Sequence, residues 1–260
     1  MAEMISFEVH DKDGRAHACE ARAGESLLDA LREHGFEVPS LCHLKGLTPY
    51  GACRLCLVEV EQGKKRRLTT SCNFPVMDGI AVHLDTERVS RNRRMVIELL
   101  SSMAPKSQRL SDLARTYDVS TTRLDPRPDA DDCILCGLCT RICSQGARAD
   151  ALALAGRGRG KHLAREPFDE FPESCIGCGA CAWVCPTGAI SMEDRAVARL
   201  KDRWGAQRPC RYALMGLAPG SVCENNYDCA RCEVDQGMVA RAGGRHPIML
   251  MLEAEKGTKV

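Results

Sequence analysis

Cysteine is the residue type with the most chemistry to offer in this sequence, because 17 of its 260 residues are cysteines. All but one of them fall into four groups of four. Cysteines serve as disulfides, metal ligands or reactive thiols, and their spacing separates these uses. The N-terminus is charged and lacks an apolar export signal. We therefore expect a reducing, cytoplasmic location, in which grouped cysteines bind metals.

The two central groups each have the spacing C-x2-C-x2-C-x3-C, which bacterial ferredoxins use to hold [4Fe-4S] clusters. Pro186 follows the second run, whereas Ser144 follows the first. In two-cluster ferredoxins the fourth cysteine of each run binds the other cluster, so crossed ligation is predicted. Cluster A is expected on Cys133, Cys136, Cys139 and Cys185. Cluster B is expected on Cys175, Cys178, Cys181 and Cys143.

Small and apolar residues accompany these two runs. Glycines beside the ligands allow the backbone to approach cluster sulfurs closely; they are Gly137, Gly177 and Gly179. Apolar neighbours are expected to exclude water and help set the cluster potentials; they are Ile134, Ile176 and Trp183. Neighbouring clusters exchange single electrons without a bound substrate, so the sequence predicts an electron relay and no catalytic residues.

The first group has a long loop, a CxxC pair and a distant fourth cysteine, as ferredoxin-type [2Fe-2S] sites do. Its members are Cys42, Cys53, Cys56 and Cys72. The loop of ten residues before Cys53 is longer than the four of plant-type ferredoxins. Gly51 would let backbone N–H groups approach the sulfurs. A zinc site or free thiols are the alternatives, but zinc modules usually pair two short CxxC knuckles.

The last group, Cys210, Cys223, Cys229 and Cys232, has twelve, five and two intervening residues and fits no established rule. Four cysteines in a reducing compartment favour a fourth metal centre, either iron–sulfur or zinc, over unligated thiols. The preference for iron over zinc at this group is slight. The remaining cysteine, Cys19, falls on a predicted strand and is expected to be a structural thiol.

The elements that position the first group follow from hydrophobic periodicity. Five strands are predicted, at residues 5–9, 15–21, 55–61, 67–71 and 80–84. A short helix should begin at Ser26, with Asp29 completing its cap, and end at Gly35. Two strands, a helix and further strands predict a β-grasp ferredoxin. The basic run 64–67 is expected to be a solvated hairpin tip.

The later elements divide the chain further. A long helix is predicted over 87–103, with an apolar side formed by Val89, Met95, Val96, Leu99 and Leu100. The polar stretch from Leu124 marks a boundary. The glycine-rich residues 156–162 are expected to form a mobile loop, because they lack the full Walker A pattern.

An α+β chain of four parts is therefore predicted. The parts are a β-grasp [2Fe-2S] ferredoxin domain (1–85), a helical linker (86–125), a bacterial-type two-[4Fe-4S] ferredoxin domain (126–195) and a small cysteine-rich C-terminal segment (196–260).

Residues 36–195 resemble the cluster-bearing N-terminal part of the complex I large subunit. They resemble still more the small diaphorase subunits of NAD-linked and electron-bifurcating hydrogenases and some formate dehydrogenases. The resemblance rests on PSLCHLKGLTPYGACRLCLVEVEQGKKRRLTTSC, then RNRRMVIELL and CILCGLC. That family has a middle [4Fe-4S] cluster with one histidine and three cysteine ligands. Here the corresponding segment from Ser101, SSMAPKSQRLSDLARTYDV, contains neither residue type.

The resemblance implies a partner subunit that binds FMN and NAD(H), and a second catalytic or ferredoxin-interacting partner. The predicted function is therefore electron transfer within a multisubunit NAD(P)H-linked oxidoreductase. A free-standing polyferredoxin and a zinc-stabilised scaffold or assembly factor are the alternatives. The net charge of +1 argues against nucleic acid, and no apolar run is long enough for a membrane span. The 75 residues after Cys185 are too few for a hydrogen-activating domain.

Overall fold

The computed structural model describes residues 3–120, 123–126, 131–165, 172–190, 200–202 and 207–257. The backbone contacts divide the chain into two units. The first unit consists of Met1–Lys45 and Pro49–Cys136, and the second of Gly46–Thr48 and Gly137–Val260.

The first unit begins with the predicted β-hairpin. Strands β1 (Met4–His10) and β2 (Ala16–Arg22) pair antiparallel along their whole length. Every second residue faces the core, so that Phe7 and Val9 on β1 are buried. Cys19 is buried on β2, which confirms that it is a core residue.

Three further strands complete the sheet. They are β3 (Leu57–Gln62), β4 (Lys65–Thr70) and β5 (Ala81–His83), within three residues of their predicted limits. The sheet order is β2-β1-β5-β3-β4, with β1 and β5 parallel and the other pairs antiparallel. This is the predicted β-grasp arrangement, in which the central β5 joins the two hairpins.

Helix α1 (Leu27–Glu33) supplies apolar side chains to the core beside this sheet. The prediction was correct at its C-terminal end and wrong at its N-terminal end. Gly35 ends the helix as expected, with a φ of +81° that favours glycine. The predicted capping box is wrong. The Ser26 hydroxyl donates to the Cys72 carbonyl at 3.0 Å, and the Asp29 carboxylate contacts the His43 ring at 2.8 Å. Both side chains are used in tertiary contacts.

Helix α2 (Glu87–Met103) has the predicted limits, and Thr86 caps it by accepting from the Val89 N–H at 3.2 Å. The predicted apolar side is correct at Val89 and Leu100, which are buried, but wrong at Met95 and Leu99, which are 55% and 44% exposed. The buried side of α2 also includes Arg93, Ile97 and Glu98. Helix α3 (Gln108–Thr116) packs against α2 within the predicted linker.

An ion pair ties the chain after α3 to α2. The Glu98 carboxylate accepts from the Arg123 backbone N–H and from its guanidinium, at 2.6 to 2.9 Å. The Arg123 side chain lowers the pKa of Glu98 to about 2. A depressed acid stabilises the folded state above its ordinary pKa of 4.5, and this contribution disappears as the pH falls toward 2.

We therefore expect Glu98→Gln to lower the melting temperature by a constant amount between pH 8 and pH 5, and by progressively less below about pH 4.5. Thermal unfolding under nitrogen, followed by circular dichroism at matched iron content, measures the difference. Arg123→Gln should reproduce part of the effect, and the double variant should lose less than the sum. A difference that is unchanged down to pH 3 would contradict the assignment.

The second unit consists of short helices and one hairpin. Helix α4 (Leu138–Arg141) continues into a wide helical turn at Ile142–Gly146. Strands β6 (Leu152–Ala155) and β7 (His162–Arg165) follow, and the glycine-rich stretch forms the loop between them. The later helices are α5 (Ala180–Val184), α6 (Arg211–Leu214), α7 (Glu233–Arg241) and α8 (Ile248–Gly257).

Helix α8 packs against the wide turn after α4, where a Cβ on Gly146 would lie 3.0 Å from Ile248. This contact joins the C-terminal segment to the first cysteine run. Among the helices that the structure describes, none combines the length and the apolar character needed to cross a bilayer.

Candidate iron–sulfur sites

The four cysteines of the first group come together in the first unit, and all four are buried. Two of their sulfurs accept backbone hydrogen bonds: Cys53 Sγ from the Leu41 N–H at 3.3 Å, and Cys42 Sγ from the Cys53 N–H at 3.4 Å. The fourth cysteine, Cys72, lies in the 3-10 turn Ser71–Asn73 after β4. N–H groups directed at sulfur are what a cluster site requires to stabilise its negative charge.

The thiols of this group interact in two pairs. The Cys72 thiol donates to Cys56 and lowers the pKa of Cys56 to about 6. Their hydrogen bonds raise the pKa of Cys53 beside Cys42 and that of Cys72 beside Cys56, and burial adds to both increases. A [2Fe-2S] cluster binds two cysteines at each of its two irons, so two close pairs fit this cofactor.

Gly51, in the loop before Cys53, occupies a position that favours glycine. Its φ is +67°, and an added Cβ would lie 3.1 Å from Asn73 Nδ2. Arg54, which follows Cys53, also has a positive φ of 57°. Positive φ is costly for arginine, so the loop conformation must be held by the surrounding contacts. No local sequence pattern indicates the strain at Arg54.

Arg93 is a functional candidate that the sequence reasoning missed. Its side chain is buried, with only 3% of the residue exposed, and it donates to the Leu57 carbonyl at 2.6 Å. Leu57 directly follows the ligand candidate Cys56, and the Arg93 charge interacts with that thiol. The signal was the four-residue spacing of Val89, Arg93 and Ile97, which places the arginine on the buried stripe of α2.

The four cysteines assigned to cluster B line one largely apolar cavity in the second unit. Cys143 of the first run thus lies with Cys175, Cys178 and Cys181 of the second. Its sulfur accepts from the Ala151 N–H at 3.3 Å. This grouping is what crossed ligation requires.

Burial raises the pKa of three of these thiols: that of Cys143, that of Cys178 to about 12 and that of Cys181 to about 11. Such thiols ionise readily only when a metal supplies the compensating positive charge. An apolar cavity lined by four cysteines therefore fits a [4Fe-4S] cluster.

The cysteines assigned to cluster A are divided between the units. Cys133 and Cys136 belong to the first unit, and Cys139 and Cys185 to the second. Within the first unit, Cys133 Sγ accepts from the Leu135 N–H at 3.4 Å. Cluster A stays a prediction from the spacing of the two runs.

The residues beside the cubane ligands partly met expectation. Gly177 has a φ of +59°, and an added Cβ would lie only 2.5 Å from Leu200 Cδ1, so this position requires a close backbone approach. Ile134 is buried as expected. Trp183 was expected to exclude water, but it is 40% exposed and its ring contacts the ring of His246.

His246 is a second residue that the sequence reasoning missed. Its Nδ1 accepts from the Ile248 N–H at 3.1 Å, so the neutral ring carries its proton on Nε2. That Nε2–H donates to the Cys178 carbonyl at 2.9 Å, and burial lowers the pKa of His246. A side chain 68 residues away from Cys178 therefore holds the backbone at a cluster B ligand. No local sequence pattern indicates such a contact.

The last group also comes together, since all four of its cysteines line one cavity. They are more exposed than those of the first group. Among the residues described, no three histidine, cysteine or acidic side chains are placed to hold one metal ion. In a cubane each cysteine binds a different iron, so its ligands need not meet at a single ion.

Comparison with known proteins agrees with this geometry. Residues 2–87 match a family of 2Fe-2S iron-sulfur cluster binding domains, and residues 170–191 match a family of 4Fe-4S binding domains. The chain is therefore an iron–sulfur protein with both kinds of cluster-binding domain, and the predicted α+β fold class is confirmed.

Several complex subunits are similar to this chain. It is 32% identical over 176 residues to the mitochondrial NADH-ubiquinone oxidoreductase 78 kDa subunit of Candida albicans, covering 58% of the chain and 24% of that protein. It is 31% identical over 178 residues to the NADPH-Fe(3+) oxidoreductase subunit alpha of Geobacter sulfurreducens, covering 60% of the chain and 20% of that protein. These matches confirm the resemblance to the complex I large subunit.

Hydrogenase subunits are also similar. The NADP-reducing hydrogenase subunit HndD of Solidesulfovibrio fructosivorans is 31% identical over 163 residues, covering 52% of the chain and 28% of that protein. A solved NAD+-reducing [NiFe]-hydrogenase chain in the H2-reduced state is 28% identical with a TM-score of 0.52, covering 62% of this chain and 75% of that one. The chain thus spans about a quarter of the curated relatives that it matches.

Proposed function

We propose that this chain is an iron–sulfur electron-transfer subunit of a multisubunit NAD(P)H-linked oxidoreductase. The complex would be a hydrogenase, a formate dehydrogenase or an electron-bifurcating enzyme, located in the cytoplasm. The proposal rests mainly on the grouping of cysteines in the structure. The four cysteines of the first group are buried in the β-grasp unit, and the four assigned to cluster B line one cavity of the second unit. The oxidoreductase and hydrogenase subunits that resemble the chain support it.

Iron–sulfur clusters, when bound, accept and release one electron at a time. The residues that would hold the [2Fe-2S] cluster are Cys42, Cys53, Cys56 and Cys72. The residues that would hold cluster B are Cys143, Cys175, Cys178 and Cys181. Those for cluster A are Cys133, Cys136, Cys139 and Cys185.

The surrounding residues of the chain would fix the properties of these sites. Backbone N–H groups of Leu41, Cys53 and Ala151 donate to ligand sulfurs and would stabilise their negative charge. Leu55, which lies between Cys53 and Cys56 in the sequence, is fully buried and would help to exclude water from the first site. The chain would thus bind and tune its clusters, and the partner subunits would carry out the substrate chemistry.

The partners would be a subunit that binds FMN and NAD(H), and a catalytic or ferredoxin-interacting subunit. The chain would receive single electrons from the flavin or return them to it. We also propose that the chain divides into four parts, which end at residues 85, 125, 195 and 260. The helical linker, residues 86–125, would lack the histidine-ligated cluster that the family has there.

Anaerobic purification of the tagged chain from its native host tests this function. We expect a brown complex that contains a flavoprotein, in which one [2Fe-2S] and two [4Fe-4S] clusters supply about ten irons per chain and any cluster at the last group adds to that number. EPR spectra during stepwise reduction should resolve the [2Fe-2S] signal separately from the cubane signals. Elution as a flavin-free monomer would favour a free polyferredoxin, and a colourless, zinc-loaded chain would favour a scaffold. Either result would overturn the proposal.

A further inference from the structure

The C-terminal segment contains a cysteine site that neither matched domain covers, since those domains end at residues 87 and 191. One cavity of the second unit is lined by all four of its cysteines, Cys210, Cys223, Cys229 and Cys232. No other cysteine lines this cavity.

Local backbone contacts bring these cysteines together. An isolated β-bridge pairs Pro209 with Val222, which places Cys210 and Cys223 on neighbouring segments of the chain. Beside this bridge, the Cys210 N–H donates to the Ser221 backbone carbonyl at 2.8 Å, and the Cys223 N–H donates to the Arg208 backbone carbonyl at 2.7 Å. The other two cysteines lie at the two ends of a single 3-10 turn, where the Cys232 backbone N–H donates to the Cys229 carbonyl at 3.1 Å.

The sulfur environment repeats that of the other sites. Cys223 Sγ accepts from the Tyr227 N–H at 3.2 Å, as the sulfurs of Cys42, Cys53 and Cys143 accept from other N–H groups. Tyr227 and the preceding Asn226 have φ values of 60° and 48°. Two successive non-glycine residues in this region are strained, and here the strained turn directs an N–H at sulfur.

A buried cation stands beside these thiols. The largely buried Arg211 follows Cys210 directly and interacts electrostatically with Cys229. Its guanidinium is held by Asp235, which also accepts from the Tyr212 hydroxyl. Its Nε is buried without a hydrogen-bond partner among the described residues. Positive charge at this point would offset the negative charge of a thiolate-bound cluster.

The site adjoins cluster B within the same unit. A second cavity is lined by Gly177, from the loop between Cys175 and Cys178, by Cys229 of the last group and by Arg211. His246, from the segment after α7, donates to the Cys178 carbonyl. The C-terminal segment is therefore built onto the loop that holds cluster B ligands.

We propose that Cys210, Cys223, Cys229 and Cys232 bind a fourth iron–sulfur cluster, which exchanges electrons with cluster B and forms one end of the relay. One electron leaves one cluster as the other gains it, and no bond or proton changes. The inference rests on the proposed function for cluster B, but the occupant of the new site is tested separately.

The test compares the full chain, purified anaerobically, with Cys229→Ser/Cys232→Ser and with the control Cys19→Ser, which changes a cysteine outside the four groups. Iron and zinc are measured per chain, and EPR spectra are recorded after reduction with dithionite. The double variant should lose two or four irons, according to the cluster type, while the control loses none. Line broadening that reports spin coupling to a cubane should also disappear.

Cys210→Ala provides a second test from the other side of the site, should the double variant not fold, and it should lose the same number of irons. Unchanged iron in both variants, or loss of one stoichiometric zinc, would overturn the fourth cluster. Absence of the [2Fe-2S] and cubane signals from the unmodified chain would instead count against the proposed function. The two failures are therefore distinguishable.

Discussion

Replacing Cys143 by alanine should remove cluster B, although Cys143 belongs to the first cysteine run. Its side chain lines the cavity formed by the second run, and the Ala151 N–H donates to its sulfur. Loss of one of four ligands exposes an iron, so we expect about four irons fewer per chain. Iron analysis and EPR of the anaerobically purified variant measure this loss.

Double variants identify which cysteines share a cluster. Cys143→Ala combined with Cys178→Ala should lose no more iron than either single variant, because both would disrupt cluster B. Cys143→Ala combined with Cys136→Ala should lose about eight irons, because two clusters would be disrupted. The opposite pattern would show that each run binds its own cluster. Cys19→Ala is the matched control and should retain all of its iron.

Replacing Arg93 by methionine should lower the reduction potential of the [2Fe-2S] cluster. Reduction adds one negative charge to the cluster, and a buried guanidinium near Cys56 favours that charge. An effect on the order of 1 kcal/mol corresponds to roughly 40 mV for a one-electron couple. An EPR-monitored redox titration gives the midpoint potential of the [2Fe-2S] signal.

The same substitution should also reduce stability, because the Leu57 carbonyl would lose its 2.6 Å hydrogen bond from Arg93. A buried acceptor left without a partner costs about 1–3 kcal/mol. Arg93→Lys keeps the charge and should retain most of the potential even if the chain is less stable. Arg91→Met removes an exposed charge from the same helix and serves as the control. An unchanged potential in Arg93→Met would show that the residue is purely structural.

Much of the first unit followed from local sequence patterns. The limits of α2 and the approximate limits of five strands were predictable, because alternation and helix capping act over a few residues. Which residues of α2 are buried was predictable only in part, since Val89 and Leu100 are buried as expected. Met95 and Leu99 are apolar but exposed to solvent, whereas Arg93 is charged but buried. The Arg93 side chain is held there by its hydrogen bond to the carbonyl of Leu57, which belongs to strand β3 and not to α2.

The cysteine spacing by itself predicted the types of the first three sites, because closely spaced cysteines can reach the irons of one cluster. The tertiary structure decided which residues surround those sites. His246 contacts Cys178 across 68 positions, and Gly177 and Cys229 line one cavity. Such contacts depend on how segments pack, and packing between distant residues leaves no periodic trace in the sequence. For that reason only the fold shows that Cys229 lies near the loop between Cys175 and Cys178.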